Sequence, residues 1–313
     1  MTDTVPHAMH AGLGPWMRLL RISNAPTALT GSLVGTMIGA STNSGALHVG
    51  ALVLCGVGSV LLYAGGMVMN DYFDQPIDRI ERPDRPIVSG QVSERSALSL
   101  GMGLLAVGVT AMVAVGSAVV PWTLLLLAMI LAYNLLHRDP IAAPLLMASC
   151  RMLVPVVSAI AAAPQNRPDW ELLGAVAIPL GVFTATISLA ARHEAARMPS
   201  PIPVMPTGAL FVVLLAAGLA PLALMFGGAL RPFPRDALTM AMPALAIACW
   251  SMLRGLRLLQ REDRKPHGVM GWIAAIAFID AASLAPLGGG PLVFVALGAG
   301  LLTVWMQRRI LGS

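Results

Sequence analysis

The sequence predicts an all-α integral membrane protein with about nine transmembrane helices and a candidate tenth. Three observations carry that expectation. Of its 313 residues, 57% are hydrophobic and only 11% charged, against roughly 25% charged in a soluble chain. A soluble core cannot hide that much apolar surface, so the solvent for most of this chain is lipid. Its apolar residues come in runs of about 20, the length of helix that crosses a bilayer. Its basic residues gather on one side of the resulting threading.

In chain order, the spans fall near 16–40, 47–69, 96–118, 120–137, 142–163, 172–190, 204–228, 237–259 and 269–286. The run "PLVFVALGAGLLTVW" at 291–305 is either a tenth span or the second half of a broken ninth. "GALHVG" and "GGGP" punctuate the hairpins. Residues 1–15 are small, polar or Pro/Gly and read as a short extramembrane tail, with no resemblance to a cleaved secretory signal. No polar segment exceeds about thirty residues, so residues 1–313 are expected to form one transmembrane domain. Cys55, Cys150 and Cys249 lie in apolar runs without metal-ligand spacing and read as small buried hydrophobes.

Threading from a cytoplasmic N-terminus puts sixteen Lys and Arg on the cytoplasmic side and only Arg167, Arg231 and Arg235 opposite. Arg151 lies inside the fifth span and is left uncounted. The C-terminal "QRRILGS" joins the basic side only with ten crossings. Residues 70–95 and 191–203 become cytoplasmic cap loops, and the expected location is the cell (inner, cytoplasmic) membrane, multi-pass, with the site facing the cytoplasm. The net charge of +5 therefore reads as membrane topology, and no nucleic-acid partner is expected.

One stretch carries the chemistry. "NDYFDQPIDRIERPDRPIVSG" at 70–90 follows an uncharged helix. On a continuing helix Asp71, Asp74 and Asp78 share a stripe about 60° wide, with Asn70 beside it. Three carboxylates so close repel each other, unless a divalent cation neutralises them. Hard oxygen ligands favour Mg²⁺ or Ca²⁺, and Mg²⁺ is usually shared between a few carboxylates and substrate phosphates. Arg82 and Arg85 follow, each beside a helix-stopping proline, and guanidinium forks suit phosphate oxygens. Carboxylates with a metal, then arginines, then apolar walls describe a diphosphate held at a membrane surface with its hydrocarbon tail in the bilayer.

These residues resemble the first aspartate-rich motif of the UbiA superfamily of membrane prenyltransferases, N-D-x-x-D-x-x-x-D followed by R-P and S-G. Asn70, Asp71, Asp74, Asp78, Arg85, Pro86, Ser89 and Gly90 match it. "RLLRISNAPTALTGSLVG" is similar to the family's first helix, with Arg21, Asn24 and Pro26 in place. "AYNLLHR" at 132–138 resembles its Tyr-Ser-x-x-x-Lys-Arg signature, with Tyr133 and Arg138 matching and His137 in place of lysine. The resemblance implies about nine helices around a central cavity, capped by loops that hold an isoprenyl diphosphate through two aspartate-rich motifs and Mg²⁺.

The second motif, D-x-x-x-D after the sixth helix, is missing. That place reads "SLAARHEAARMPSP", with Glu194 as its only acid among Arg192, His193 and Arg197. Either Arg192 and Arg197 neutralise the diphosphate directly, or Glu194 completes a looser metal site, or the chain has lost transfer chemistry and binds a lipid. Cys150–Arg151 and Arg192-x-Glu194 are similar to a pattern in the EboC-like branch of the superfamily.

Two charges lie within spans, Arg151 and Asp280. Each is costly in hydrocarbon and by default faces a cavity or a partner. Arg151 would reach the diphosphate. Asp280 would pair with Arg151 or sit near the acceptor as a base, and His193 is a further candidate base. Tyr72, Phe73, Tyr133 and Trp272 would either face a carbocation or simply pack.

The expected activity is a prenyltransferase that moves an isoprenyl group from its diphosphate to a small cyclic, aromatic or lipid-like acceptor. Asp71, Asp74 and Asp78 would hold Mg²⁺, with Glu194 assisting. Asn70, Arg82, Arg85, Tyr133, Arg138, Arg151, Arg192 and Arg197 would bind the diphosphate, and Asn24 is a further candidate. A terpene cyclase of the same superfamily is the alternative, disfavoured by an aromatic content of 5%. A non-catalytic lipid-binding or transport protein on the same fold is the second.

Overall fold

The computed structural model describes residues 12–42, 47–163, 165, 167–195, 207–226, 236–261 and 265–310. Among these the chain is helical throughout, without strands. The helices are α1 (Leu13–Leu19), α2 (Pro26–Ser41), α3 (Val49–Phe73), α4 (Gln75–Glu81), α5 (Glu94–Val113), α6 (Val120–Leu136), α7 (Ala142–Ala162), α8 (Trp170–Ala195), α9 (Thr207–Phe226), α10 (Ala237–Leu259), α11 (Lys265–Leu284) and α12 (Gly290–Arg309). A 3₁₀ turn at Ser117–Val119 leads into α6. Eight of these elements are long and apolar enough to cross a membrane: α3, α5, α6 with its leading turn, α7, α8, α10, α11 and α12. The helix α9 carries a shorter apolar stretch, Gly208–Ala220.

Three boundaries differ from the sequence reading, and one open alternative is resolved. The first span is not one helix, because residues 20–25 form a turn closed by i→i+3 hydrogen bonds such as Arg21 N–H to Arg18 O. Pro26 then opens α2 at a position where its missing N–H costs nothing. Of the two expectations for the run after 290, the separate tenth helix is the one seen, divided from α11 by a turn in which Gly288 takes φ +76°. The stretch taken as a cap loop from residue 191 continues α8 as helix to Ala195. Likewise, within the 70–95 cap, residues 75–81 are the helix α4.

The helices α2 and α11 sit at the centre. Leu33, Val34, Met37 and Ile38 of α2 share a core with Leu172, Leu173 and Val176 of α8 and Ala281, Ala282 and Leu284 of α11. The helix α2 also lies against α3, α7 and α12. Its approach to α7 is set by glycine, since a Cβ on Gly35 or Gly39 would run into the backbone of Pro155 or Ala159. Small residues at such crossings are how helices associate in lipid, where apolar side chains gain nothing by leaving the solvent. The outer faces carry exposed Val57, Val107, Leu135, Val212 and Trp305, which suits contact with hydrocarbon. Pro155, Pro179 and Pro243 lie inside α7, α8 and α10, as spanning helices tolerate.

The ends of α3, α6 and α12 and the start of α2 meet at one end of the bundle. Arg21 reaches Asp71, His137 reaches Asp74, and Gln307 reaches Asn24. That end holds the candidate site.

Candidate active site

Local structure brings the three aspartates together. Asp74 ends α3 and starts α4, with φ −80° and ψ −7°, close to helical values. Its N–H donates to Asn70 O, and its own C=O accepts from Asp78 N–H. The helical register thus passes through Asp74 nearly unbroken, so the expected stripe of acids forms. The helix stops at Glu81, Arg82 caps it, and Pro83 follows. The chain then turns back through Arg85, whose N–H donates to Arg82 O.

Arg85 is buried, and its guanidinium stands among all three acids. Nη1 lies 2.9 Å from Asp71 Oδ1, 2.8 Å from Asp78 Oδ2 and 4.0 Å from Asp74 Oδ2. Arg21 Nη2 adds a contact of 3.2 Å to Asp71 Oδ1. Arg21 holds φ +44°, a conformation few non-glycine residues take, and backbone strain of this kind gathers at functional sites. Asn70 Nδ2 donates to Asp74 Oδ2 at 2.6 Å. The other oxygen of Asp74 faces His137 Nε2 at 2.8 Å and Arg138 Nη2 at 3.5 Å.

These contacts set the protonation states. Burial would raise the pKa of Asp74, but His137, Arg85 and Arg138 outweigh it and hold the carboxyl below its ordinary range. Asp78 moves the other way, because burial and the neighbouring Asp74 and Asp71 exceed what Arg85 returns. The hydrogen bond and charge of Asp74 raise the pKa of His137 against its burial.

The donors here are all hard oxygen, the kind a divalent cation such as Mg²⁺ prefers, with no soft ligand among the three carboxylates. Among the described residues no three His, Cys, Asp or Glu side chains are disposed as ligands of one ion, and the Arg85 guanidinium stands between Asp71 and Asp78. A cation, the Arg85 guanidinium, already stands where the acids meet.

The UbiA prenyltransferase family profile matches residues 28–270, most of the chain. The chain belongs to the UbiA prenyltransferase family. A digeranylgeranylglyceryl phosphate synthase from Methanopyrus kandleri is 45% identical over 94 residues, 30% of this chain and 33% of that protein. The match to such curated relatives thus spans about a third of their length. Among solved structures, the apo form of a UbiA homolog from Aeropyrum pernix K1 aligns with a TM-score of 0.61 at 19% identity, covering 88% of this chain and 97% of that one. A UbiA homolog from Archaeoglobus fulgidus bound to GPP and Mg²⁺ aligns with a TM-score of 0.60 at 16% identity, covering 88% and 99%. At these identities the likeness is one of fold.

In this UbiA-family chain the expected residues divide. Asn70, Asp71, Asp74, Asp78, Arg85 and Arg138 meet in one cluster. Tyr133 is near it, its ring 6.2 Å from that of His137. Asn24 accepts from Gln307 Nε2 at 2.8 Å beside the same end. Arg82 is exposed and takes no part in the ion pairs seen among the described residues, since the end of α4 turns it to solvent. Arg192, His193 and Glu194 lie on the last turn of α8 rather than in a loop, and their side chains fall outside the described residues, as does Arg197 altogether. Arg151 is not at the acids. It faces Asp280 at 3.9 Å in the middle of the bundle. Trp272 is fully buried and donates to Met252 O at 2.9 Å, so it packs α10 against α11.

Two cluster members were missing from the expected set. Arg21 was noticed only as part of a resemblance, and His137 only as a replaced lysine. Arg21 needs the turn at 20–25 to reach Asp71, and nothing in a continuous apolar run signals that turn. His137 follows Tyr133 by four residues, one helical turn, and that spacing was a usable signal.

Proposed function

We propose that this protein is a membrane prenyltransferase that takes an isoprenyl diphosphate as donor and a small cyclic, aromatic or lipid-like molecule as acceptor, with Mg²⁺ as cofactor. The observation that carries this reading is the convergence of Asp71, Asp74 and Asp78 on one buried arginine at the end of an apolar bundle, in a chain of the UbiA family. Asp71, Asp74 and Asp78 would hold Mg²⁺, which supplies Lewis-acid neutralisation of a leaving diphosphate. Arg85, freed from the acids, would turn its fork to phosphate oxygens, with Arg21 and Arg138 beside it. Arg192 and Arg197 would complete the clamp where a second pair of acids is missing. The apolar helix faces would keep water from a carbocation-like donor as its C–O bond breaks. The bias of basic residues supports a site that faces the cytoplasm.

Purified protein in lipid nanodiscs, given geranyl diphosphate and Mg²⁺, tests this. Diphosphate release with an acceptor adduct is the expected result. Release with a cyclic hydrocarbon would make the protein a cyclase. Absence of both donor binding and release, in protein that stays folded, would leave a lipid-binding or transport role, which the lone Glu194 favours.

A further inference from the structure

We infer that the groove where α10, α11 and α12 meet binds the headgroup of an anionic phospholipid. Trp250 and Arg254 of α10, His267 of α11, and Gln307 and Arg308 of α12 are among the residues that line it. Its volume of about 60 Å³ is several times the roughly 10–15 Å³ that admits one water, so a phosphate group has room. Two guanidiniums line the groove and no carboxylate does. Neither Arg254 nor Arg308 takes part in an ion pair seen among the described residues. Glu262 and Asp263, between α10 and α11, lie outside those residues.

The chemistry of the lining selects an anion. Two guanidiniums around one groove repel each other, and a phosphate that accepts from both turns that cost into charge-assisted hydrogen bonds. Arg254 is already steadied for this. Its guanidinium carbon lies over the Trp250 ring, 5.3 Å from the centroid, a cation–π contact. A guanidinium stacked in this way keeps the N–H groups of its planar fork for phosphate oxygens. The groove also has a polar side, since Ser251 and Gln307 line it and are buried.

The surroundings select a lipid as the source of that anion. On α12, exposed Leu301, Trp305 and Arg308 follow at intervals of four and three residues, on one stripe of the helix about 60° wide. Along it an aliphatic side chain gives way to a tryptophan, the residue that gathers at membrane interfaces, and then to a charge. That is the order of a phospholipid from tail to headgroup. Trp250 is exposed likewise, one turn before Arg254 on α10. A free phosphate would meet the charges and leave this stripe uncovered. Gln307 donates to Asn24 Oδ1 at 2.8 Å, which puts the groove at the same end of the bundle as the aspartate cluster. On the orientation proposed above, that end meets the cytoplasmic leaflet, which carries anionic lipids and where basic pockets between spanning helices take their headgroups.

Native mass spectrometry of the full chain in dodecyl maltoside, titrated with dioleoyl phosphatidylglycerol, tests the site. Wild type is expected to take up the lipid saturably, at least about tenfold more tightly than dioleoyl phosphatidylcholine. The double variant Arg254→Gln with Arg308→Gln is expected to lose at least about tenfold in affinity for phosphatidylglycerol. Arg79→Gln with Arg95→Gln, which removes two exposed arginines elsewhere, is expected to bind as wild type does. Glycerol 3-phosphate is expected not to displace the lipid. Both groove arginines are exposed, so their loss leaves the helix packing intact. Arg308→Gln alone, expected to weaken binding about threefold, reads the site where the double variant fails to fold. No saturable adduct in wild type, equal affinity for the two lipids, or equal losses in the two double variants would each overturn the assignment. So would wild-type affinity in the groove variants, or displacement by glycerol 3-phosphate. None of these outcomes depends on donor binding by the aspartates.

Discussion

Two buried ionic clusters can be set side by side. At the end of α3, three carboxylates share Arg85, and Asp71 and Asp74 each meet a further cation, Arg21 for one and His137 for the other. In the middle of the bundle, one carboxylate and one guanidinium stand too far apart to bond, and the guanidinium keeps two buried nitrogens without partners. The first cluster is held by ion pairs of 2.8–2.9 Å, although Arg85 Nε has no hydrogen-bond partner, and the second has its one ion pair at 3.9 Å. Buried charges that lose a partner cost far more than a well-made pair gains. The two clusters should therefore respond differently to substitution, the first, on the function proposed above, through metal and donor binding.

Asp71→Asn combined with Asp74→Asn gives the largest expected effect. It removes two of the three carboxylates proposed to hold Mg²⁺ while keeping their shape. Single-turnover diphosphate release should fall by about 10³, the upper range for removing one preorganised stabilising group. Release within tenfold of wild type would remove the cluster from the chemistry altogether.

Arg85→Met comes next. It leaves three acids facing one another without their shared cation, at a cost of about 3–5 kcal/mol, as for breaking a buried ion pair. The melting temperature in nanodiscs should drop. Mg²⁺ should raise it more in the variant than in wild type, because the ion would enter the position the guanidinium gives up. Equal Mg²⁺ responses would mean that the acids do not hold the metal there.

The same contrast explains what could be read from the sequence. The acid stripe was legible because helical spacing alone puts Asp71, Asp74 and Asp78 on one face, and the register holds through Asp74. Arg85 was expected to bind phosphate, and its place among the acids was not legible, because the return of the chain after Pro83 is a tertiary event. Arg151 and Asp280 announced themselves as charges in hydrocarbon. That Thr30 completes them could not be read, since it lies 250 positions from Asp280 and depends on α2 and α11 sharing the centre. Hydrophobic runs located the spans but could not show the turn at residues 20–25, since an apolar turn and an apolar helix have the same composition.

His137→Gln tests a smaller part of the contrast. The histidine is one of several cations on Asp74, with Arg85 and Arg138 remaining after its loss. The KM for the donor should rise severalfold with little change in kcat. A fall in kcat of a hundredfold would instead make His137 part of the reacting machinery.

Arg82→Gln should do least, and it separates sequence proximity from geometry. Arg82 and Arg85 stand in the same "RPDRP" run, three residues apart, each before a proline. The sequence reading offers both as partners for a diphosphate, although only Arg85 matches the family motif. In the fold Arg85 is buried at the convergence of the acids, whereas Arg82 is exposed at the end of α4. An exposed charge is screened by water and salt, and its loss is usually worth no more than about 0.5 kcal/mol, roughly a twofold change. Donor KM for Arg82→Gln should therefore stay within about twofold of wild type, while Arg85→Gln weakens donor binding at least tenfold. Comparable losses in the two variants would mean that the segment after α4 folds onto the donor, bringing Arg82 inward. The ion-paired cluster at the end of α3 would then be only the resting half of the site.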